Sequence, residues 1–358
     1  MSDYADSSNV SAPGAAARPA YPLTVRDHGF ATAAGLLVQS MPYALARLGV
    51  DLAFSVGGIV WLIVTFGGAA WLGAHVAQAF GWVWFIGCVV GVGWLWGTFL
   101  RYLMHLIECG HVAVLTELIT RGEVGNGNES MFDYGRRVVT QRFGQVNALF
   151  AFNALVRGVL QAFHRTLDWF AELLPIPGLE SISSVANLIL RVATRYIDKV
   201  ILSYSLACGT DDAWHEARDG VIYYCQNAKA ILKTSVWIVI LERVLSVVLW
   251  ILLMIPAAGV TVLLPHAARE AGGVVTVIIA VLLAAAFRNA FLKPVFLIMM
   301  MIRFHVLIEN QAVDARWDAY LASISDKFRE FTGNAAAAIP SAPRGGLGAH
   351  AQSPGLKS

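Results

Sequence analysis

Along most of this chain the apolar residues are gathered into blocks, and the blocks have the length that a bilayer requires. Residues 52–72 (LAFSVGGIVWLIVTFGGAAWL) and 80–100 (FGWVWFIGCVVGVGWLWGTFL) contain no Asp, Glu, Lys or Arg, and about 20 apolar residues in a helix cover the hydrocarbon core. Each predicts a membrane-spanning helix. The GAHVAQA segment between them is short enough to close a helical hairpin. Gly57, Gly58, Gly67, Gly68, Gly87, Gly91, Gly93 and Gly97 predict close packing within it, because glycine in a spanning helix lets backbones approach.

Four further segments are candidates. Residues 146–174 and 186–207 are apolar but carry charges at helical spacing; Arg191, Arg195 and Asp198 fall near one face, which must look at protein or water. Residues 234–258 form a stronger span interrupted by Glu242 and Arg243. Residues 274–302 run longer than a bilayer needs, with Arg288, Asn289, Lys293 and Pro294 in the second half, and Pro294 predicts a kink. The expected fold is all-α, a polytopic integral membrane bundle of about six transmembrane helices within residues 25–312, with additional amphipathic helices. One of these, over 313–332, puts Val313, Trp317, Tyr320, Leu321, Ile324, Phe328 and Phe331 on one stripe, as an interfacial or packed helix should. Residues 1–24 and 333–358 are rich in Ala, Ser, Pro or Gly and are expected to be disordered tails.

Charge fixes an orientation for this scheme. With six crossings, Lys and Arg accumulate in the segments that share a side with both termini, while the opposite loops hold only Arg269. The positive-inside rule then places both ends in the cytoplasm. The acidic, polar start of the sequence does not resemble a secretory signal, so the first span is expected to act as an uncleaved insertion signal. High Ala and Gly content and compact loops suggest the cell membrane of a bacterium, its inner membrane.

Composition agrees with the membrane class: 57% of residues are hydrophobic and 14% charged, against about 25% charged in an ordinary soluble domain. A net charge of +2 without a basic run or aromatic RNA-binding motif argues against nucleic acid as a partner. Cys88, Cys109, Cys208 and Cys225 are scattered without a CxxC, so neither a zinc site nor a disulfide framework is expected.

Candidate chemistry is sparse. His105, Glu108 and His111 are spaced by three, not in the HExxH arrangement, and packing is the expected role over metal binding; no metal or other cofactor is predicted. WHEARD at 214–219 has Asp219 where a second histidine would belong and is expected to be a solvated polar loop. With no phosphate-binding glycine loop or nucleophile motif, no catalytic residue is assigned and the chain is not expected to be an enzyme. Trp82, Trp84, Trp94 and Trp96 could cage a quaternary ammonium, though interfacial anchoring or packing explains such a stripe more simply.

The informative groups are the charges within spans: Glu242, Arg243, Arg288, Lys293, Arg195 and Asp198, with Arg157, Arg191 and Lys199 beside them. A charge facing lipid costs at least ~2.5 to 3.5 kcal/mol on insertion scales, so these groups need partners or water. Three roles remain open: a substrate pathway, structural ion pairs with Glu242 facing Arg288 or Lys293, and long side chains snorkelling to the interface.

In residues 195–253 the order of features resembles the C-terminal part of choline transporter-like proteins. A helix with Tyr196 and Ile197 is followed by a polar stretch, by Asn227, Ala228 and Ala230, and by another span. The chain is shorter, has fewer spans and lacks a large cysteine-bearing loop, so no substrate residue carries over. The resemblance implies a transporter-like fold and a choline-like or other organic-cation substrate. The leading expectation is therefore transport of a small polar or charged solute across the lipid bilayer; the rival is a non-transporting membrane scaffold that binds partners or lipid headgroups.

Overall fold

The computed structural model describes residues 21–125, 129–143, 146–164, 182–209 and 212–330, with Gly333. Most of the two expected disordered tails, positions 165–174 of the third expected span, the start of the loop after it and Phe331 lie outside the described residues. All regular structure among the described residues is helical.

Two long hairpins form a stem. In the first, α2 (Met41–His75) turns at residues 76–77 into α3 (Gln78–Gly87), which continues through a π-helical turn, Cys88–Val92, into α4 (Gly93–Arg121). In the second, α9 (Ala228–Leu263) turns at 264–265 into α10 (His266–Phe287), which continues through the π-helical turn Arg288–Leu292 into α11 (Lys293–Ile308). Where a kink at Pro294 was expected, the helix carries this second π turn. It widens the backbone just before the proline, where a donor is missing.

Among the described residues, four helical runs are long and apolar enough to cross a membrane: Met41–His75, Gln78–Arg121, Ala228–Leu263 and Gly272–Ile308. Gln78–Arg121 has 44 residues, which at about 1.5 Å each is roughly 66 Å, twice the ~30 Å of hydrocarbon. The turns at 76–77 and 264–265 are too short to hold any surplus, so the excess length leaves at the opposite end. There the hairpins become part of a helical lobe.

Within the stem, large apolar side chains face outward: Trp94 is 69% exposed, Val83 68%, Val262 67% and Ile255 66%. So extended an apolar surface suits lipid rather than water. The glycines of the first hairpin divide by role. Gly57 and Gly68 leave room for the rings of Trp96 and Trp84, and a Cβ on Gly81 would sit 2.6 Å from the Ala69 carbonyl oxygen, whereas Gly58, Gly67, Gly87, Gly91 and Gly97 face open space.

The lobe is built differently. α1 (Phe30–Gln39), α5 (Met131–Phe143), α6 (Val146–His164), α7 (Ile182–Cys208), α8 (Ala213–Gln226) and α12 (Ala315–Ile324) pack around the extensions of α4, α9 and α11. Leu115, Ile119, Phe152, Phe163, Tyr223, Tyr224, Phe296, Phe304 and Phe328 are fully buried at its centre.

The count of six crossings is not confirmed, because the described parts of the segments expected as third and fourth spans, 146–164 and 186–207, lie in the lobe. α6 buries Phe152, Leu155, Val156, Val159, Leu160 and Phe163 on one face, and α7 buries Ile189, Val192, Ala193, Ile197, Val200 and Ile201. One apolar face with charges elsewhere is the pattern of a core helix, not of one apolar all round. Two local expectations change as well. WHEARD is the opening of α8, where the Asp212 carboxylate accepts from the N–H groups of Trp214 and His215 at 3.1 and 2.9 Å. Residues 21–24, assigned to the N-terminal tail, are ordered: Leu23 is buried and the N–H of Thr24 donates to the Ile119 carbonyl at 3.1 Å. The helix expected over 313–332 is interrupted at Ser325 after α12; of its stripe, Leu321 and Phe328 are buried and Trp317 lies edge-on to Phe163, while Tyr320 is exposed.

Candidate functional site at the junction of stem and lobe

Helix length decides how deep each charge sits. From Arg243 to the end of α9 at Leu263, and from His266 to Arg288, the chain runs some twenty residues without a charge except near the tip at Arg269 and Glu270. Twenty residues of helix rise about 30 Å, the thickness of the hydrocarbon. The first hairpin repeats the pattern between Asp51 and Arg101. The first ionisable groups met on leaving the stem therefore form a belt where stem becomes lobe.

The inner part of this belt is a chain of ion pairs. Arg47 of α2 donates to Glu108 Oε1 at 2.7 Å, and Lys199 Nζ stands 3.2 Å from Glu108 Oε2 and 3.6 Å from Asp198 Oδ1. Arg157 of α6 closes the chain, donating through Nε and Nη2 to Asp198 Oδ2 at 2.9 and 2.6 Å. Asp198 is 1% exposed, so it relies on these partners rather than water. Burial alone would lower the Lys199 pKa, but Asp198 and Glu108 outweigh it and hold the ammonium above the usual lysine value. Three helices, α2, α4 and α7, meet through one carboxylate.

The outer part is looser. Glu242 of α9 faces Arg195 of α7 and Arg288 of the π turn, at 3.6 and 3.5 Å from the same Oε1. Arg243, the next residue, is exposed, with no ion pair among the described residues. Lys293 lies between the two parts, in the electrostatic reach of Arg47, Arg288, Arg195 and Glu108. Of the six residues singled out in the sequence, the structure brings Glu242, Arg195 and Arg288 into one cluster. It places Arg243 at its rim, Lys293 nearby and Asp198 in the inner chain. The side chain of Arg191 lies outside the described residues.

Sequence reasoning missed Arg47 and assigned Glu108 to a histidine set. The available signal was Arg47 and Asp51, a charged pair one turn apart at the lobe end of the first span. The three residues of that set go to separate partners. Glu108 joins the ion chain, and His111 shares a 2.9 Å hydrogen bond with Ser40 and stacks on Tyr43. His105 lies beside Cys109 and Asn153, 3.4 Å from the Asn153 amide nitrogen. Among the described residues no three His, Cys, Asp or Glu side chains gather as metal ligands. The tryptophans of the stem do not converge either: Trp82 and Trp94 face outward, Trp84 donates to the Val64 carbonyl at 3.2 Å, and Trp96 packs on Phe54.

Two lobe features complete the picture. His164 is hydrogen-bonded to the Tyr224 hydroxyl at 2.7 Å and to Thr194 at 3.2 Å, and burial pushes its pKa down to about 4. Asn227, one of the positions carrying the family resemblance, ends α8 and exchanges amide hydrogen bonds with Gln311 at 2.7 and 3.1 Å; Tyr196 and Ile197 are buried core residues. Chemically, the belt can hold helices together and, at its outer rim, attract an anion. Compared with known protein families, with curated proteins and with solved structures, the chain matches none.

Proposed function

We propose that this chain is a membrane-anchored scaffold, in which a non-conducting stem holds the helical lobe against one face of a bilayer for encounters with partners. The placement of charge carries this reading. Between Asp51 and Arg101, and between Arg243 and Arg288 apart from Arg269 and Glu270, the chain has no Asp, Glu, Lys or Arg. A charged or zwitterionic solute crossing the stem would meet no counter-charge over most of the hydrocarbon, where an exposed charge costs at least ~2.5 to 3.5 kcal/mol. Of the 26 Lys and Arg, only Arg269 belongs to a hairpin tip, which supports a cytoplasmic lobe and cytoplasmic chain ends at a cell membrane.

A second reading, transport of a small polar or choline-like solute, draws on one observation. Trp61 Nε1 and Thr65 Oγ1 are buried in the stem, one turn apart on α2, without a hydrogen-bond partner among the described residues. Uptake of radiolabelled choline, betaine, amino acids and polyamines into proteoliposomes separates the two. The scaffold predicts the same accumulation as protein-free vesicles. Saturable uptake that Thr65→Val or Glu242→Gln abolishes overturns it in favour of transport.

A further inference from the structure

The outer cluster of the belt has more cationic groups than its own carboxylate can use. Arg195, Arg243 and Arg288 surround a small open cleft of about 40 Å³, completed by Val192, Val239, Ser246 and the single acid Glu242. The local charge is three positive against one negative. Glu242 contacts Arg195 and Arg288 only at 3.6 and 3.5 Å, longer than the 2.7–2.9 Å or so of a charge-assisted hydrogen bond. Arg288 Nε is buried with no hydrogen-bond partner among the described residues, and Arg243 is exposed. A guanidinium carries five N–H donors in a planar fork suited to phosphate, and among the described residues Arg288 Nε and the Arg243 guanidinium have no partner to use theirs.

Position says where an anion would come from. Arg243 and Arg288 are the first charges beyond the charge-free stretches of α9 and α10, one hydrocarbon thickness from the tip, which is the depth of lipid phosphates. On the stem side the neighbouring surface is apolar and outward-facing: Ile240 is 50% exposed, Val244 54% and Val247 56%. The cleft is far below the ~300–1,000 Å³ of a typical small-molecule pocket. It suits one compact charged group whose remainder lies outside, against an apolar wall.

We propose that the cleft between α7, α9 and the Arg288–Leu292 turn binds the phosphate of an anionic phospholipid, with Arg243 and Arg288 as the clamp and an acyl chain along Val244 and Val247. The proposal rests on the stem lying in a bilayer and is independent of whether the chain conducts, so the uptake experiment and the one below can fail separately.

The test is thermal unfolding of the full chain in a neutral detergent, titrated with dioctanoyl phosphatidylglycerol, dioctanoyl phosphatidylcholine or inorganic phosphate. Phosphatidylglycerol should raise the Tm saturably, because a ligand that binds only the folded state stabilises it, and the other two should leave it unchanged. Arg243→Gln removes a group without an ion pair, so the unliganded Tm should stay in place while the apparent affinity for phosphatidylglycerol falls about tenfold. Arg243→Lys should keep part of it, and Arg316→Gln, at an exposed arginine of the lobe, should keep all of it. An unchanged titration in Arg243→Gln overturns the proposal. So does an equal response to inorganic phosphate, which would make the cleft a soluble-anion site, or an equal response to phosphatidylcholine, which would make the effect one of acyl chains alone.

Discussion

The stem and the lobe use the same kinds of apolar side chain to opposite ends. Phe163 in the lobe is 2% exposed and wedged against Tyr224 and Trp317, whereas Val248 in the stem is 54% exposed. The junction repeats the contrast in its charges. Its inner carboxylates are held at hydrogen-bonding distance by several partners, while Glu242 at the outer edge shares two half-exposed arginines at longer range. What differs is the solvent each region has to satisfy: the lobe is its own interior, and the stem borrows its interior from lipid.

The largest expected effect breaks the comparison in the lobe. Phe163→Ala should cost about 3–5 kcal/mol through the cavity it leaves, while Val248→Ala should change stability by no more than ~0.5 kcal/mol, as for an ordinary surface substitution. Thermal unfolding of the two variants beside the wild type in the same detergent measures the gap; equal shifts would mean that Val248 packs against protein.

Asp198→Ala should follow at about 3 kcal/mol, near the lower end for opening a buried ion pair, because Arg157 can turn to water while Lys199 keeps Glu108. Restoring much of the loss in Asp198→Ala/Arg157→Met would mark it as a stranded-charge effect; no restoration would point to backbone damage instead.

Acid should act on the lobe by a comparable amount through His164. Its folded pKa of about 4 lies below the ordinary value of 6.5, so between these pH values the unfolded chain binds more protons and stability falls as pH falls. The loss begins near pH 6.5 and is complete near pH 4, on the order of 3 kcal/mol. Comparing unfolding from pH 7 to 4 in wild type and His164→Gln isolates it, since the variant should lose this part of the slope.

Among the charged groups Glu242→Gln should cost least, about 1 kcal/mol or less, because its arginine partners are 37% and 39% exposed and can be hydrated. A loss as large as that of Asp198→Ala would erase the distinction between the inner and outer parts of the belt.

Legibility in the sequence followed the same division. The 52–72 and 80–100 blocks could be read because an uncharged run of bilayer length has few other uses. The described parts of the 146–174 and 186–207 segments could not, because hydropathy counts apolar residues without asking what covers them, and a helix buried in protein scores much like one buried in lipid. Their charges were the available clue: Arg157, Arg195, Asp198 and Lys199 at helical spacing fit a lobe helix with one wet or ion-paired face. Asp212 before Trp214 likewise carried a helix-start signal that its likeness to a metal motif obscured. Glu242 and Arg288 stood out as charges beside apolar runs, while Arg47 became visible only once α2, α4 and α7 were brought together.

The sequence by itself determined the all-helical class, the uncharged first hairpin, the long apolar runs of the second, the scarcity of Lys and Arg at their tips, where only Arg269 lies, and the existence of a charged boundary. Each is a property of contiguous residues and of the length at which a helix matches a bilayer. Only the tertiary structure decided that, among the described residues, four helical runs are long and apolar enough to cross a membrane. It alone showed that Glu108 bridges Arg47 and Lys199, and that Arg195 and Arg288 share one acid at the rim. Those outcomes depend on which faces of distant helices meet, and a linear pattern carries the face of each helix but not its partner.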